Sequence, residues 1–184
     1  MSFRLKAGRK KMKSKLIPPS KIYVDKSSIK GRGVFAKEKI DSGEIIEECH
    51  FIICGCPHDM KDSELLRYAF TITFKKDATP ETNEEISIKT LLAMSLDDEK
   101  MQKEILKDLT DLGYNDISQI FQTATVLGNG MIYNHASDNN INWEFNYENL
   151  TFEFSANKDI QAGEELFINY GEHYWKENNE RIIT

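Results

Sequence analysis

The chain has 184 residues, 24 Lys+Arg against 30 Asp+Glu and a formal net charge of −6. That length suits one domain with a sizeable core, with or without a tail, and 40% hydrophobic and 10% aromatic residues exclude a wholly disordered chain. No apolar run nears the roughly 20 residues that span a bilayer, and the charged N-terminus lacks the apolar stretch of a secretory signal. The expectation is therefore an intracellular protein, nuclear in a nucleated host and cytoplasmic otherwise.

The charge is uneven. Residues 1–24 carry eight basic side chains and no acid, which leaves 16 basic and 30 acidic residues in the other 160, a net of −14. Residues 1–21, ending near Pro18-Pro19, read as a basic, mobile N-terminal arm. The run Gly8-Arg-Lys-Lys-Met-Lys-Ser-Lys15 suits a nuclear import signal, a non-specific nucleic-acid contact or a solubilising tail.

From Ile22 short strands alternate with glycine. Ile22–Val24 and Gly33–Ala36 read as strands, Ile40–Gly43 as a turn, and Glu44–Ile53 as one longer strand. That strand and its end hold Cys49, His50, Cys54, Cys56 and His58, a set chemically sufficient for zinc. One extended strand cannot readily wrap four ligands around one ion, however. The flanking Ile45, Ile46, Phe51, Ile52 and Ile53 make the cysteines read as small buried hydrophobes, and no metal is expected. Three clustered cysteines also suit a reducing compartment better than a disulfide framework.

Residues 62–74 read as a short helix, with Asp62-Ser63 as cap and Leu65 and Leu66 inside, that gives way to a strand at Thr71–Phe74. Lys75–Glu85, polar and interrupted by Pro80, reads as a loop. Met101, Ile105, Leu109 and Leu112 recur at helical spacing, with Ser95 and Asp98 as a capping box and Gly113 as a stop. A second helix is expected over Ile117–Val126. Asn142–Tyr147 and Leu150–Phe154 alternate as strands around a tight turn at Glu148-Asn149. Ile160–Gly163 repeats the earlier turn, and Glu165–Asn169 is a last strand. Composition stays even from 22 onwards, so the expectation is one mainly β domain with a helical insert at 62–128.

Three segments hold candidate chemistry. Lys30-Gly-Arg-Gly-Val-Phe-Ala36 lets a ligand approach the main chain closely, although a plain turn also explains Gly-x-Gly. Gly130-Met-Ile-Tyr-Asn-His-Ala-Ser-Asp-Asn-Asn140 places an amide and an imidazole at the edge of a core, or is simply a polar loop. Ile160-Gln-Ala-Gly-Glu-Glu-Leu-Phe-Ile-Asn-Tyr-Gly171 ends a buried strand on a tyrosine, which either faces a cleft or packs in the core.

In this order, with Ile40-Asp-Ser-Gly-Glu-Ile-Ile46 between the first two, these segments resemble the SET-domain family of protein lysine methyltransferases over about Ile22–Gly171. The resemblance implies a β-clip-like fold of short sheets with pseudoknot-like C-terminal threading, residues 22–171 forming the domain and 172–184 an extension without zinc cysteines. It implies S-adenosyl-L-methionine as cofactor, held by Lys30, Gly31, Arg32, Gly33, Asn134, His135 and Tyr170. Tyr170 matches the tyrosine at the point of methyl transfer. The substrate it implies is a lysine on a basic protein segment such as a histone tail, and the lysine-rich arm would itself be a possible target. Several positions depart from the family's pattern. Ala136 and Asn139 replace serine and proline, Ile168 stands where many members carry an aromatic, and Glu47-Glu48-Cys49-His50 lacks the strand tyrosine. Tyr68, Phe70 and Tyr133 are then candidates for the channel wall. Trp175 either covers the cofactor or channel, or docks a C-terminal helix. These departures leave a second reading open, a SET scaffold that has lost methyl transfer and serves as an interaction module.

Overall fold

The structure is a computed structural model that describes residues 18–55, 67–73, 79–95, 99–111 and 121–171, together with Leu16, Leu65 and Tyr174. Among the described residues ten strands form three short sheets: β1 (Ile22–Lys26), β2 (Arg32–Ala36), β3 (Ile45–Cys49), β4 (Phe51–Gly55), β5 (Phe70–Thr73), β6 (Phe121–Val126), β7 (Asn134–His135), β8 (Ile141–Asn146), β9 (Thr151–Ala156) and β10 (Glu165–Ile168). Helices α1 (Pro80–Ser95) and α2 (Glu99–Asp111) lie between β5 and β6 in the chain. The sheet orders are β1-β2-β10-β7, β3-β9-β8 and β4-β6-β5. Mainly β architecture with two inserted helices is the expected fold class.

β10 sits between β2 and β7, antiparallel to the first (Leu166 opposite Val34) and parallel to the second (Phe167 opposite Asn134, Ile168 opposite His135). Leu166 and Ile168 are buried, as are Val34 and Ala36 of β2, so alternation along both strands sends one face into the core. β7 is only two residues long, and a side chain supplies what a longer strand would. The Asn140 amide donates to the Glu165 carbonyl (2.8 Å) and accepts from the Phe167 N–H (2.7 Å).

The two similar turns meet. Ile40 and Ile160, both fully buried, exchange paired backbone hydrogen bonds of 2.9 Å. The Gly43 N–H donates to the Ala156 carbonyl and the Gly163 N–H to the Ala36 carbonyl, each at 2.8 Å. Both glycines have φ near +85° (84° and 86°), a conformation that costs other residues dearly.

The core is aromatic. Phe152 is fully buried and touches Phe51, Phe70, Phe145 and Trp143 at ring-centroid distances between 5.1 and 5.7 Å. Ile86 and Leu109 form a separate small cluster between α1 and α2.

Three expected elements differ. The 44–53 segment is two strands, because β3 pairs with β9 whereas β4 pairs with β6, and the chain changes sheet at His50. The expected helix over 117–126 is the strand β6 from Phe121 onwards, where Thr123, Thr125 and Val126 favour the pleated form. The 75–85 loop is helical from Pro80. Thr79 caps it, its hydroxyl accepting from the Thr82 N–H (3.2 Å), and Pro80 fills the first helical position, where no N–H is needed. Ser95 accordingly ends α1 rather than capping α2. The hairpin turn spans 147–150, wider than two residues. The 62–64 cap, Phe74, Leu112, Gly113 and Ile117 lie outside the described residues.

Phe152→Ala should remove about 3–5 kcal/mol of stability, since it empties the meeting point of four aromatic side chains. Urea denaturation measures it, and a loss below about 1 kcal/mol would contradict this description of the core.

Candidate active site

The loop between β1 and β2 is fastened to β10 by one carboxylate. Glu165 accepts from Asn134 Nδ2 (2.8 Å) through Oε1 and from the buried Ser27 hydroxyl (2.9 Å) through Oε2. Ser27 Oγ in turn accepts from the Ile29 N–H (3.0 Å), and the Ser27 N–H donates to the Gly31 carbonyl (3.1 Å). Asn134 Nδ2 also reaches the carbonyls of Arg32 (3.1 Å) and Lys30 (3.4 Å). Gly33 makes this packing possible, because a Cβ there would overlap the Glu165 carboxylate. Gly31, at φ +57°, has no atom of the described residues within 4 Å of where a Cβ would stand.

Next to this loop stand His135 and Tyr170. The Tyr170 N–H donates to His135 Nδ1 (3.1 Å), which places the imidazole proton on Nε2. The rings of His135 and Tyr170 lie 5.3 Å apart, and Tyr174 packs edge-on to Tyr170 at 4.7 Å. The Tyr170 hydroxyl donates to the main-chain carbonyl of Tyr133 at 2.7 Å. Its proton is therefore engaged by that carbonyl. Burial lowers the His135 pKa from the ordinary 6.5, which favours the neutral acceptor.

A second carboxylate lies deeper. Glu47 is buried, and its Oε1 accepts from the Asn129 N–H (3.0 Å) and Asn129 Nδ2 (3.2 Å) while Oε2 accepts from the Tyr133 hydroxyl (3.1 Å). Gly128, at φ +94°, passes so close that a Cβ would stand 2.6 Å from Glu47 Oε1. Burial first, and then the Glu47 charge, push both the Cys49 thiol and the Tyr133 phenol well up from their ordinary values.

A cavity of about 320 Å³ opens along β8 and reaches Asn169, the residue before Tyr170. Asn142, Trp143 and Glu144 line one side and Ser155 another.

A model of the SET domain matches residues 31–171. The chain belongs to the SET-domain family. Over 58 residues it is 47% identical to the histone-lysine N-methyltransferase EZH2 of Chaetomium thermophilum, an alignment covering 30% of this chain and 4% of that relative. A solved structure of a proposed histone methyltransferase of Plasmodium falciparum is similar at TM-score 0.49 and 23% identity, over 85% of this chain and 97% of that one. The structure of ctPRC2 in complex with H3K27me3 and H3K27M is similar at TM-score 0.44 and 23% identity, over 85% of this chain and 15% of that one.

Lys30–Gly33, Asn134, His135 and Tyr170 come together although 102 residues separate Arg32 from Asn134 and a further 35 separate His135 from Tyr170. The channel candidates separate. Tyr133 and Ile168 are buried, Phe70 packs against Trp143 and Phe154, and Tyr68 is 51% exposed on the turn before β5. Trp175, Cys56 and His58 lie outside the described residues, and among those described no cluster of three His, Cys, Asp or Glu side chains has metal-holding geometry. The sequence assigns no site role to Glu165, Asn140, Ser27 or Glu47. Only a buried position for an acid within an apolar strand would have signalled Glu47.

Gly33→Ala should cost about 1–3 kcal/mol in urea denaturation, by forcing the Glu165 carboxylate off Asn134 and Ser27. Combining it with Glu165→Ala should restore part of that loss, whereas strictly additive effects would refute the steric account. A pH dependence follows from His135. The unfolded chain takes up a proton near pH 6.5 and the folded chain does so only at lower pH. Stability is therefore full above about 6.5 and declines as pH falls towards the folded value. Melting temperature should drop more steeply between pH 6.5 and 5 in the wild type than in His135→Gln, and parallel curves would exclude His135 as a contributor.

Proposed function

We propose that this chain is a protein lysine N-methyltransferase that uses S-adenosyl-L-methionine and acts on a basic protein segment of the histone-tail kind. The observation that carries this reading is the Tyr170 hydroxyl, held on the Tyr133 carbonyl beside His135, whose neighbour Asn134 is bonded to the 30–32 main chain. The EZH2 relative's name supports lysine as the acceptor and histone as the substrate class. A histone substrate would place the protein in the nucleus of a nucleated cell.

The donor set fits the cofactor. Gly31 offers unobstructed main chain, and Asn134, with its amide nitrogen already bonded within the protein, keeps its amide oxygen for a ligand's amino group. Neutral His135 adds no positive charge beside a cationic ligand. When bound, S-adenosyl-L-methionine supplies a methyl group on a sulfonium, open to in-line displacement. The chain's part is alignment and electrostatics. Tyr170, its proton given to Tyr133, presents lone pairs that polarise and orient the groups in the reacting line. The attacking lysine must be neutral against an unperturbed pKa of about 10.4, and a dry aromatic pocket lowers that value. The cavity beside Asn169, with Glu144 and Trp143, suits the approach of a cationic segment. The acidic body beyond residue 24 favours the same class of partner.

A thermal-shift titration tests the cofactor. S-Adenosyl-L-methionine at a hundredfold excess over its Kd should stabilise by about 2.7 kcal/mol, and no shift would overturn the assignment. Methyl transfer from labelled cofactor to histones should fall about a hundredfold or more in Tyr170→Phe. Equal labelling by both proteins would refute the role of Tyr170. A stabilising shift without labelling of any basic protein would instead favour the interaction-module reading.

A further inference from the structure

Glu47 occupies the segment where this chain departs from the family's pattern, two residues before Cys49 in the position that lacks the strand tyrosine. A carboxylate there is costly to bury unless its oxygens are satisfied. Here both are: three donors from Asn129 and Tyr133 converge on it at 3.0–3.2 Å. Those donors belong to one stretch, 128–133, whose entry at Gly128 is shaped to pass the carboxylate. The same stretch ends on the Tyr133 carbonyl that receives the Tyr170 hydroxyl. Tyr133 is thus gripped at its side chain by Glu47 and uses its main chain to aim Tyr170. Its ring lies against Phe154 at 4.9 Å and is fully buried, so the two ends cannot move independently.

We propose that Glu47 is a positioning residue for methyl transfer: by fixing residues 128–133 it holds the Tyr133 carbonyl where it orients the Tyr170 hydroxyl. The proposal rests on the role given to Tyr170 above. The raised phenol pKa of Tyr133 accords with it, because a neutral phenol keeps the proton that Glu47 accepts.

Two readouts separate this proposal from the one it rests on. In protein labelled with 3-fluorotyrosine, with the Tyr170 resonance assigned by Tyr170→Phe, Glu47→Ala should shift or broaden that resonance and leave that of Tyr147 in place. This measurement needs no methyl transfer. An unmoved Tyr170 resonance would overturn the inference even in an active enzyme, whereas an inactive wild type with the shift present would overturn only the enzymatic reading. In kinetics, Glu47→Ala should lower kcat about tenfold or more with KM for the cofactor within about twofold. The double variant E47A/Y170F should be no slower than Y170F alone, since both changes act through one hydroxyl. Independent, multiplying losses would contradict the mechanism. Should Glu47→Ala fail to fold, Glu47→Gln and Tyr133→Phe carry the same test. Glu47→Gln keeps an acceptor for Asn129 and should retain more activity than Tyr133→Phe, which breaks the link itself, and the reverse order would overturn the proposal.

Discussion

The site depends on the position of β10 between β2 and β7. Without that insertion the 27–33 loop, the Asn134–His135 pair and Tyr170 would belong to separate parts of the chain. Two side chains secure it, and both do so by bonding to groups a regular sheet would leave unmet. Asn140 closes the Glu165 carbonyl and the Phe167 N–H, while the Glu165 side chain ties down Ser27 and Asn134. The pairing joins residues far apart in sequence, so its loop-closure cost falls due before the contacts form. The dense polar clasp around Glu165 offsets that cost locally, and leaves the outward face of the loop, at Gly31, unencumbered.

The paired turns make the same point at a smaller scale. Ile40-Asp-Ser-Gly43 and Ile160-Gln-Ala-Gly163 look alike in sequence because each leads out of one strand and into another, and each returns its glycine N–H to the strand before the other turn. Ile40 and Ile160 then bond to one another. Two similar turns, each incomplete alone, thereby complete the crossing that brings β2, β3, β9 and β10 together.

Much of this was legible in the residues themselves. Alternation in 142–154 and the glycine turns located the C-terminal strands to within a residue or two, because each has one buried face and a turn at either end. What failed did so for identifiable reasons. Pro80 reads as a loop marker, although a threonine immediately before it makes it a helix start. Phe121–Val126 carries a pattern readable as either helix or strand, and its partners β4 and β5 are distant in sequence. The change of sheet at His50 left no local mark at all. For the site, the motifs pointed to Asn134, His135 and Tyr170, which the fold brings together with the 30–33 loop. They could not point to Glu165 or Glu47, whose work is done inward and depends on what packs against them.

Glu47 also bears on how this chain orders residues 128–133 without a tyrosine on β3. In its place Cys49 contributes a small, buried, protonated thiol, and the polar function moves two residues back to a carboxylate facing away from solvent. A buried negative charge raises the cost of creating any further negative charge nearby. It thereby keeps the Cys49 thiol and the Tyr133 phenol protonated, so that the phenol donates its hydrogen bond to Glu47.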